Sequence, residues 1–416
     1  MLTYLVLFGD LISVPRIRLF GMAITAFRVG ILLAFLISIA GSVRNQKLVI
    51  SRRPAFLLLT LVFWIIWGAF SIVLSTYCDL KTGIKALVSL LYAFMLVCCY
   101  LHSEDEVTIT HVLIAIRNAV VFLCLMGAFE IVSGFHLSIS RLVGTADVNN
   151  AAIKLVKTNV HLASGTFYNE NDYSAFLAIF LPTVFWFRKE KRAYHKLLSA
   201  GIVGGALLIM MLNDANIAAA CALVGCGYYL AKNTKLTPPV FLLLLFFSGV
   251  ILIGLAMVFQ RMRMVLAAQI DNSRYGYGSL NARISIYRDS LMAVWRTHGL
   301  GIGAGAFSKY IMSTHPDSAV VNPHCWWLEI LSCFGIPVFV MYCINFFGML
   351  SSMLQKRKVC PPQTLDIVVA CFLAFIIGCM VSSSFLGNAY QWLLFVMGFS
   401  FTGKAASSRH QTVTPL

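Results

Sequence analysis

Acidic residues are scarce in this chain. Sixteen Asp and Glu stand against 32 Lys and Arg in 416 residues, and charged residues of both signs make up only 12%. So little charge beside 59% hydrophobic residues excludes a soluble globular protein, since such a chain cannot hide that much apolar surface from water. Mean hydropathy is +0.84, which makes lipid the solvent for much of the chain. The few acids form no Asp-rich cage, so no metal site is expected. The 12 Cys show no CxxC pairing and no zinc spacing. Most lie inside apolar runs (Cys98, Cys99, Cys124, Cys221 and Cys226 among them) and read as small buried hydrophobes. No Lys/Arg-rich arm exists, so the net charge of +16 does not point to nucleic acid. Met1–Val14 is apolar but lacks a basic leading region and a small-residue cleavage site, so no cleavable signal is expected. The apolar runs do not alternate as barrel strands would.

What is present is a series of long apolar runs. About twelve can be drawn, at 1–14, 20–43, 55–76, 84–102, 109–133, 172–187, 197–213, 215–231, 237–258, 325–350, 365–386 and 388–403. The expected fold is all-α, a single polytopic membrane bundle over 1–416 with about 12 transmembrane helices. Basic clusters fix the orientation. Arg44–Arg53, Arg188–Lys196, Lys232–Lys235, Lys356–Lys358 and Lys404–Arg409 fall on one face when all twelve segments span, and that face is cytoplasmic. Two long segments then lie on the outer face: a loop over 134–171 and a larger, partly helical loop over 259–324. The larger one carries Arg261, Arg263, Arg274, Arg283, Arg288, Arg296 and Lys309, a basic field outside the membrane. Long loops cross regardless of charge, so this is compatible with the topology.

Three stretches at the outer face hold the polar groups. In "GTFYNENDYSAFLAIFLP", Asn169, Asn171 and Asp172 stand at the mouth of an apolar helix. In "ARISIYRDSLMAVWRTHGLGIGAGAF", Ile284, Tyr287, Leu291 and Trp295 recur at helical spacing and mark an amphipathic helix. Arg283 and Arg288 are five residues apart on it, about 140° around the axis, so they point in different directions. The glycine run that follows lacks the strand–loop–helix context of a nucleotide site and reads as a turn where backbone approaches backbone. In "HPDSAVVNPHCWWLEILSCFGIPVFV", His315 leads, Pro323 opens a helix, and His324 is expected in its first turn. Glu329 is expected about one and a half turns deeper, and an acid in an apolar helix is a functional candidate. Asn213, Asp214 and Asn216 break an apolar stretch at another outer turn, while Arg28, Arg117 and Glu130 sit within spans, open to a structural or a functional role. Arginines at membrane height suit phosphate oxygens, and a His or carboxylate beside them suits proton transfer from a sugar hydroxyl.

These three stretches, in this order and on one face, resemble the O-antigen ligase and polymerase superfamily, which includes teichuronic-acid and capsule polymerases. The resemblance implies a bacterial inner-membrane, multi-pass glycosyltransferase with its active site on the outer face. It would transfer or polymerise a glycan from an undecaprenyl-pyrophosphate donor onto an acceptor glycan hydroxyl, without metal or other cofactor. By the resemblance Arg283 holds the pyrophosphate, His324 is the essential histidine and Asn171 the helix-mouth asparagine. Catalysis then rests on His324, with Glu329 the competing base. Substrate binding rests on Arg283, Arg288, Asn169, Asn171, Asp172, Asn216 and His315. The chain departs from the pattern in three places: Asn216 stands at an arginine's place, Cys325 where Asn follows the histidine, and no proline precedes the glycine run. A ligase for another acceptor and a transporter of lipid-linked sugars are the rival readings. The basic loop and the lack of an inverted repeat speak against the transporter.

Overall fold

The computed structural model describes residues 1–8, 13–19, 22–45, 52–101, 106–140, 142, 162–190, 193–233, 279–316, 321–357, 362–382 and 384–402. The elements are α1 (Leu2–Phe8), β1 (Ser13–Leu19), β2 (Met22–Thr25), α2 (Ala26–Asn45), α3 (Arg52–Leu74), α4 (Leu80–Tyr100) and α5 (Glu106–Ser133). Then come α6 (Glu170–Phe180), a 3-10 helix (Leu181–Glu190), α7 (Ala193–Leu212) and α8 (Asn216–Asn233). The chain closes with α9 (Ser279–Arg296), α10 (Phe307–Thr314), α11 (Trp326–Lys356), α12 (Pro362–Gly378) and α13 (Tyr390–Thr402).

The architecture is helical, as expected, with one correction at the start. The 1–14 segment is not one helix: α1 ends at Phe8, and a two-stranded antiparallel hairpin, β1 with β2, precedes α2. "SVPRIRL" explains it, because Pro15, Ile17 and Leu19 alternate with Arg16 and Arg18 at period 2 and Pro15 removes a helix donor. Among the described residues five helices are long and apolar enough to cross a membrane: Arg52–Leu74, Leu80–Leu101, Ile109–Ser133, Tyr194–Leu212 and Trp326–Lys356. Three shorter apolar helices, Ala26–Gly41, Gln363–Gly378 and Tyr390–Phe399, accompany them. The expected segment at 237–258 lies outside the described residues, as do Arg261, Arg263, Arg274 and parts of the basic clusters.

The core lies where α3, α11 and α13 meet. Trp64 packs within 5.9 Å of Trp326, 5.3 Å of Phe334 and 6.4 Å of Trp392, ring centre to ring centre. Such aromatic pairs contribute about 0.5–1.5 kcal/mol each beyond area burial. α12 runs along α8, and α9 packs on the first half of the α11 region. The outward surfaces are apolar, with Ile37, Phe70, Val73, Leu125 and Val132 all exposed, as side chains facing lipid would be. On α9 the packing face is Ile286, Asp289, Ser290 and Ala293, all buried. The apolar stripe read from the sequence turns the other way, leaving Ile284, Leu291 and Trp295 exposed, the arrangement of a helix lying against an apolar interface.

Candidate functional site

α11 is broken. Gly335 has φ 82° and ψ 178°, and Pro337 follows two residues later, so the helical hydrogen bonds lapse there. The freed carbonyls are taken up by the glycine run. Ile302 N–H donates to Ser332 O at 2.8 Å, Gly303 N–H to Cys333 O at 3.0 Å, and Ile336 N–H returns a bond to Gly299 O at 2.8 Å. Gly301 (φ 89°) is required, since a Cβ there would lie 2.6 Å from Cys333 O. The run is a backbone-approach device, as its composition suggested. Non-helical backbone deep in a membrane protein survives only when its polar groups are met by protein in this way. The break isolates a short half-helix from Trp326 to Phe334, and this half-helix carries Glu329.

The start of α11 corrects the sequence reading. His324 is not in the first turn: it sits before the helix with φ 47°, and Cys325 (φ −161°, ψ 114°) is the N-cap. Trp326 N–H donates to Cys379 O at 3.0 Å, which ties the chain here to the α12–α13 loop instead of letting Pro323 begin the helix. Glu329 is therefore in the first turn, nearer the helix mouth than expected.

The α12–α13 loop gathers the polar groups. Glu329 is buried and accepts from Ser384 Oγ at 2.5 Å and from Phe385 N–H at 3.1 Å. Ser382 Oγ donates to Asp172 Oδ1, and Asn388 Nδ2 donates to Ser384 O at 3.1 Å. At the α6 mouth, Asn169 caps the helix: its Oδ1 accepts from Asp172 N–H at 2.8 Å and its Nδ2 donates to Asp172 Oδ2 at 2.7 Å. Asn169, Asp172, Ser382, Ser384 and Glu329 thus belong to one loop-centred network. Upstream, Glu130 anchors the approach to that mouth by accepting from Ser164 N–H at 2.8 Å and Gly165 N–H at 2.7 Å.

A cavity of about 370 Å³ opens beside this network, with Lys85, Ser308, Asn322, Pro323, Glu329 and Ser384 in its wall. Lys85 is half-buried on α4. Arg28 borders a small adjoining space that shares Ser89, Leu386 and Gly387 with the larger one. Among the described residues of its wall Glu329 and Lys85 are the charged ones, and a carboxylate and a lysine in one cavity can accept a proton and hold an oxyanion.

The family profile described as O-antigen ligase matches residues 206–343. The resemblance to the O-antigen ligase superfamily holds. The teichuronic acid biosynthesis protein TuaE of Bacillus subtilis (strain 168) is 21% identical over 393 aligned residues, covering 89% of this chain and 77% of that protein. The O-antigen ligase match includes Arg283, Arg288, His315, His324 and Glu329, and it stops short of the α6 mouth.

Within the matched region Arg283 and His324 lie at the loop that holds Glu329, while Arg288, His315 and Asn216 lie elsewhere. Arg283 is half-buried and donates to Met380 O at 3.4 Å, on the loop that holds Glu329. Tyr287, one turn on, donates to His324 O at 3.2 Å and so places His324 beside the same loop. Arg288 and His315 line a separate cleft, in keeping with the 140° offset of Arg288 from Arg283. Asn171 is half-buried at the α6 mouth, next to the capping pair. Asn216 is exposed and donates to Asp214 Oδ1 at 3.2 Å, while its neighbour Asn213 is spent on clamping Ala163 N–H and O at 2.8 Å each. Arg117 lies over the Phe187 ring at 4.2 Å and donates to Asn118, a packing role. Sequence reasoning missed Lys85, Ser382, Ser384 and Asn388. The only signal was the polar insert "SSSFLGN" between two apolar runs, and one lysine five residues into α4.

Proposed function

We propose that this chain is a membrane glycosyltransferase that lengthens a glycan, taking it from a lipid pyrophosphate donor on the outer face of the bacterial inner membrane. The observation that carries this reading is the Glu329 cavity: Glu329 lies within the O-antigen ligase match, and Lys85, from outside it, lines the same cavity. Glu329 takes the proton of the acceptor hydroxyl. The hydroxyl oxygen forms its bond to the donor's anomeric carbon, and the bond from that carbon to the pyrophosphate oxygen breaks, the electron pair leaving with the lipid pyrophosphate. Lys85 and Arg283 offset the charge of that leaving group, with Arg28 close by. Glu329 is taken as the proton acceptor ahead of His324 on one ground: it lines the cavity, while His324 precedes the helix. Asn169, Asn171 and Asp172 shape the glycan-side mouth. TuaE acts in the biosynthesis of a polymer, teichuronic acid, which favours chain extension over transfer to a foreign acceptor.

Purified protein supplied with a lipid-pyrophosphate glycan tests this. A lengthened lipid-linked glycan is expected. Transfer to a separate lipid acceptor would make it a ligase, and movement across vesicles with no new glycosidic bond would make it a transporter.

A further inference from the structure

The second cleft has no part in the proton transfer just described. It is a space of about 540 Å³ between α9 and α10, walled by Arg288, Asp289, Met292, Arg296, Tyr310 and His315. That volume falls in the range that encloses a small ligand, here one or two sugar rings. Arg288, Met292 and Arg296 follow at intervals of four residues, which lays them along one side of α9. Both guanidiniums are exposed. The cleft's carboxylate, Asp289, has a side chain only 10% exposed and is engaged by His315 Nε2 at 3.2 Å. Among the described residues of the lining, two guanidiniums stand beside one carboxylate.

We propose that this cleft binds a carboxylate-bearing sugar of the growing glycan, so that the enzyme selects an acidic polysaccharide. The inference rests on the glycosyltransferase reading and adds the substrate class to it. A guanidinium fork matches a carboxylate with two parallel hydrogen bonds, and two such forks stand on one side of the cleft. The pyrophosphate is assigned above to Lys85, in the other cavity, and to Arg283, on the loop beside it. The donor's reacting end and the acidic sugar would then occupy different pockets, which places the recognised sugar away from the bond being made.

The test is equilibrium binding to the purified full-length protein in neutral-lipid nanodiscs, independent of turnover. The probes are an oligogalacturonate, a malto-oligosaccharide of equal length, and inorganic pyrophosphate. The oligogalacturonate is expected to bind at least about tenfold more tightly than the neutral chain, with affinity falling as salt rises. Arg288→Gln with Arg296→Gln is expected to erase that preference. Asp289→Asn removes the compensating charge and is expected to tighten the acidic probe several-fold, a gain that misfolding cannot imitate. Glu329→Gln should leave the preference in place, so a failed transfer assay and a failed binding assay tell different stories. Equal affinity for both glycans, an acidic preference that survives the double variant, or displacement of the oligogalacturonate by pyrophosphate at the same arginines would overturn the proposal. So would recovery of the effect with anionic-lipid nanodiscs alone, which would assign the cleft to lipid headgroups.

Discussion

Glu329→Gln separates chemistry from scaffolding at the centre of the site. The carboxylate has two jobs on this structure: it receives Ser384 Oγ and Phe385 N–H, and it lines the cavity. Glutamine has the same shape. Its oxygen can keep the Phe385 N–H bond, and its NH₂ can donate to Ser384 Oγ once that hydroxyl turns. The cost is the difference between charged and neutral hydrogen bonds, about 1 kcal/mol for each of two bonds. Glu329→Ala instead strands the Phe385 N–H and the Ser384 hydroxyl, about 1–3 kcal/mol each, and is a poor probe of mechanism. The amide cannot accept the acceptor's proton, so turnover should fall by about 10²–10⁴, the worth of a positioned general base. The assay is transfer by purified protein in detergent or nanodiscs, beside a thermal melt of the same sample. The expected result is a nearly unchanged melt with activity almost gone, and a smaller loss in His324→Ala. Activity of Glu329→Gln within about tenfold of wild type, with His324→Ala dead, would refute the reasoning and return the proton to the histidine.

Four further outcomes are expected. Gly301→Ala should lower the melting midpoint and membrane yield, because a non-glycine residue at φ 89° costs about 1–3 kcal/mol before its overlap with Cys333 O is counted; unchanged stability would show that the glycine run does not brace the α11 break. Cys325→Asn should raise stability by about 0.5–2 kcal/mol, since the N-cap now has no side-chain bond and Asn supplies one; a lower melting midpoint would mean that the buried site cannot take the polar group. Arg283→Lys should fold normally yet lose most of its transfer rate, because a point charge cannot grip two phosphate oxygens; wild-type kinetics would remove Arg283 from the donor site. Met312→Cys on α10 should label with a membrane-impermeant thiol reagent in intact cells and Leu354→Cys near the end of α11 should not, both being exposed in the fold; equal labelling would invert the topology.

The helices were readable because the solvent is lipid and apolar runs of membrane length have few other uses. α3, α4, α5, α7 and α11 fall close to the runs drawn from sequence. The hairpin before α2 was not, because "SVPRIRL" sits beside apolar residues, and its period-2 alternation spans too few residues to stand out against them. The Gly335 break was half-legible: Pro337 and the glycine run are both visible in the sequence, but only the fold shows that one satisfies the backbone freed by the other. The His324 error has a similar cause. Pro323 is a fair helix opener, yet the bond from Trp326 N–H to Cys379 O comes from a residue more than fifty positions away, and no local rule contains it.

The site itself was legible as a list and not as an arrangement. The offset between Arg283 and Arg288 follows from helix geometry alone: Arg283 bonds the loop at Met380, while Arg288 lines the cleft with His315. Glu329 was visible because an acid inside an apolar helix is expensive. What the sequence could not show is what removes that expense: Ser384 and Phe385, from a loop that reads as an ordinary turn. The same loop explains why acids and amides stand at the α6 mouth. Asn169 serves Asp172, and Asp172 receives Ser382, two residues from the serine that holds Glu329. A helix mouth that needed only a cap would be complete with Asn169. The acid beside it has a partner across the bundle, and that partner belongs to the loop on which the candidate base depends. Asp172 and Ser382, 210 positions apart in the chain, are therefore bonded, and that bond joins the α6 mouth to the loop whose Ser384 and Phe385 hold Glu329.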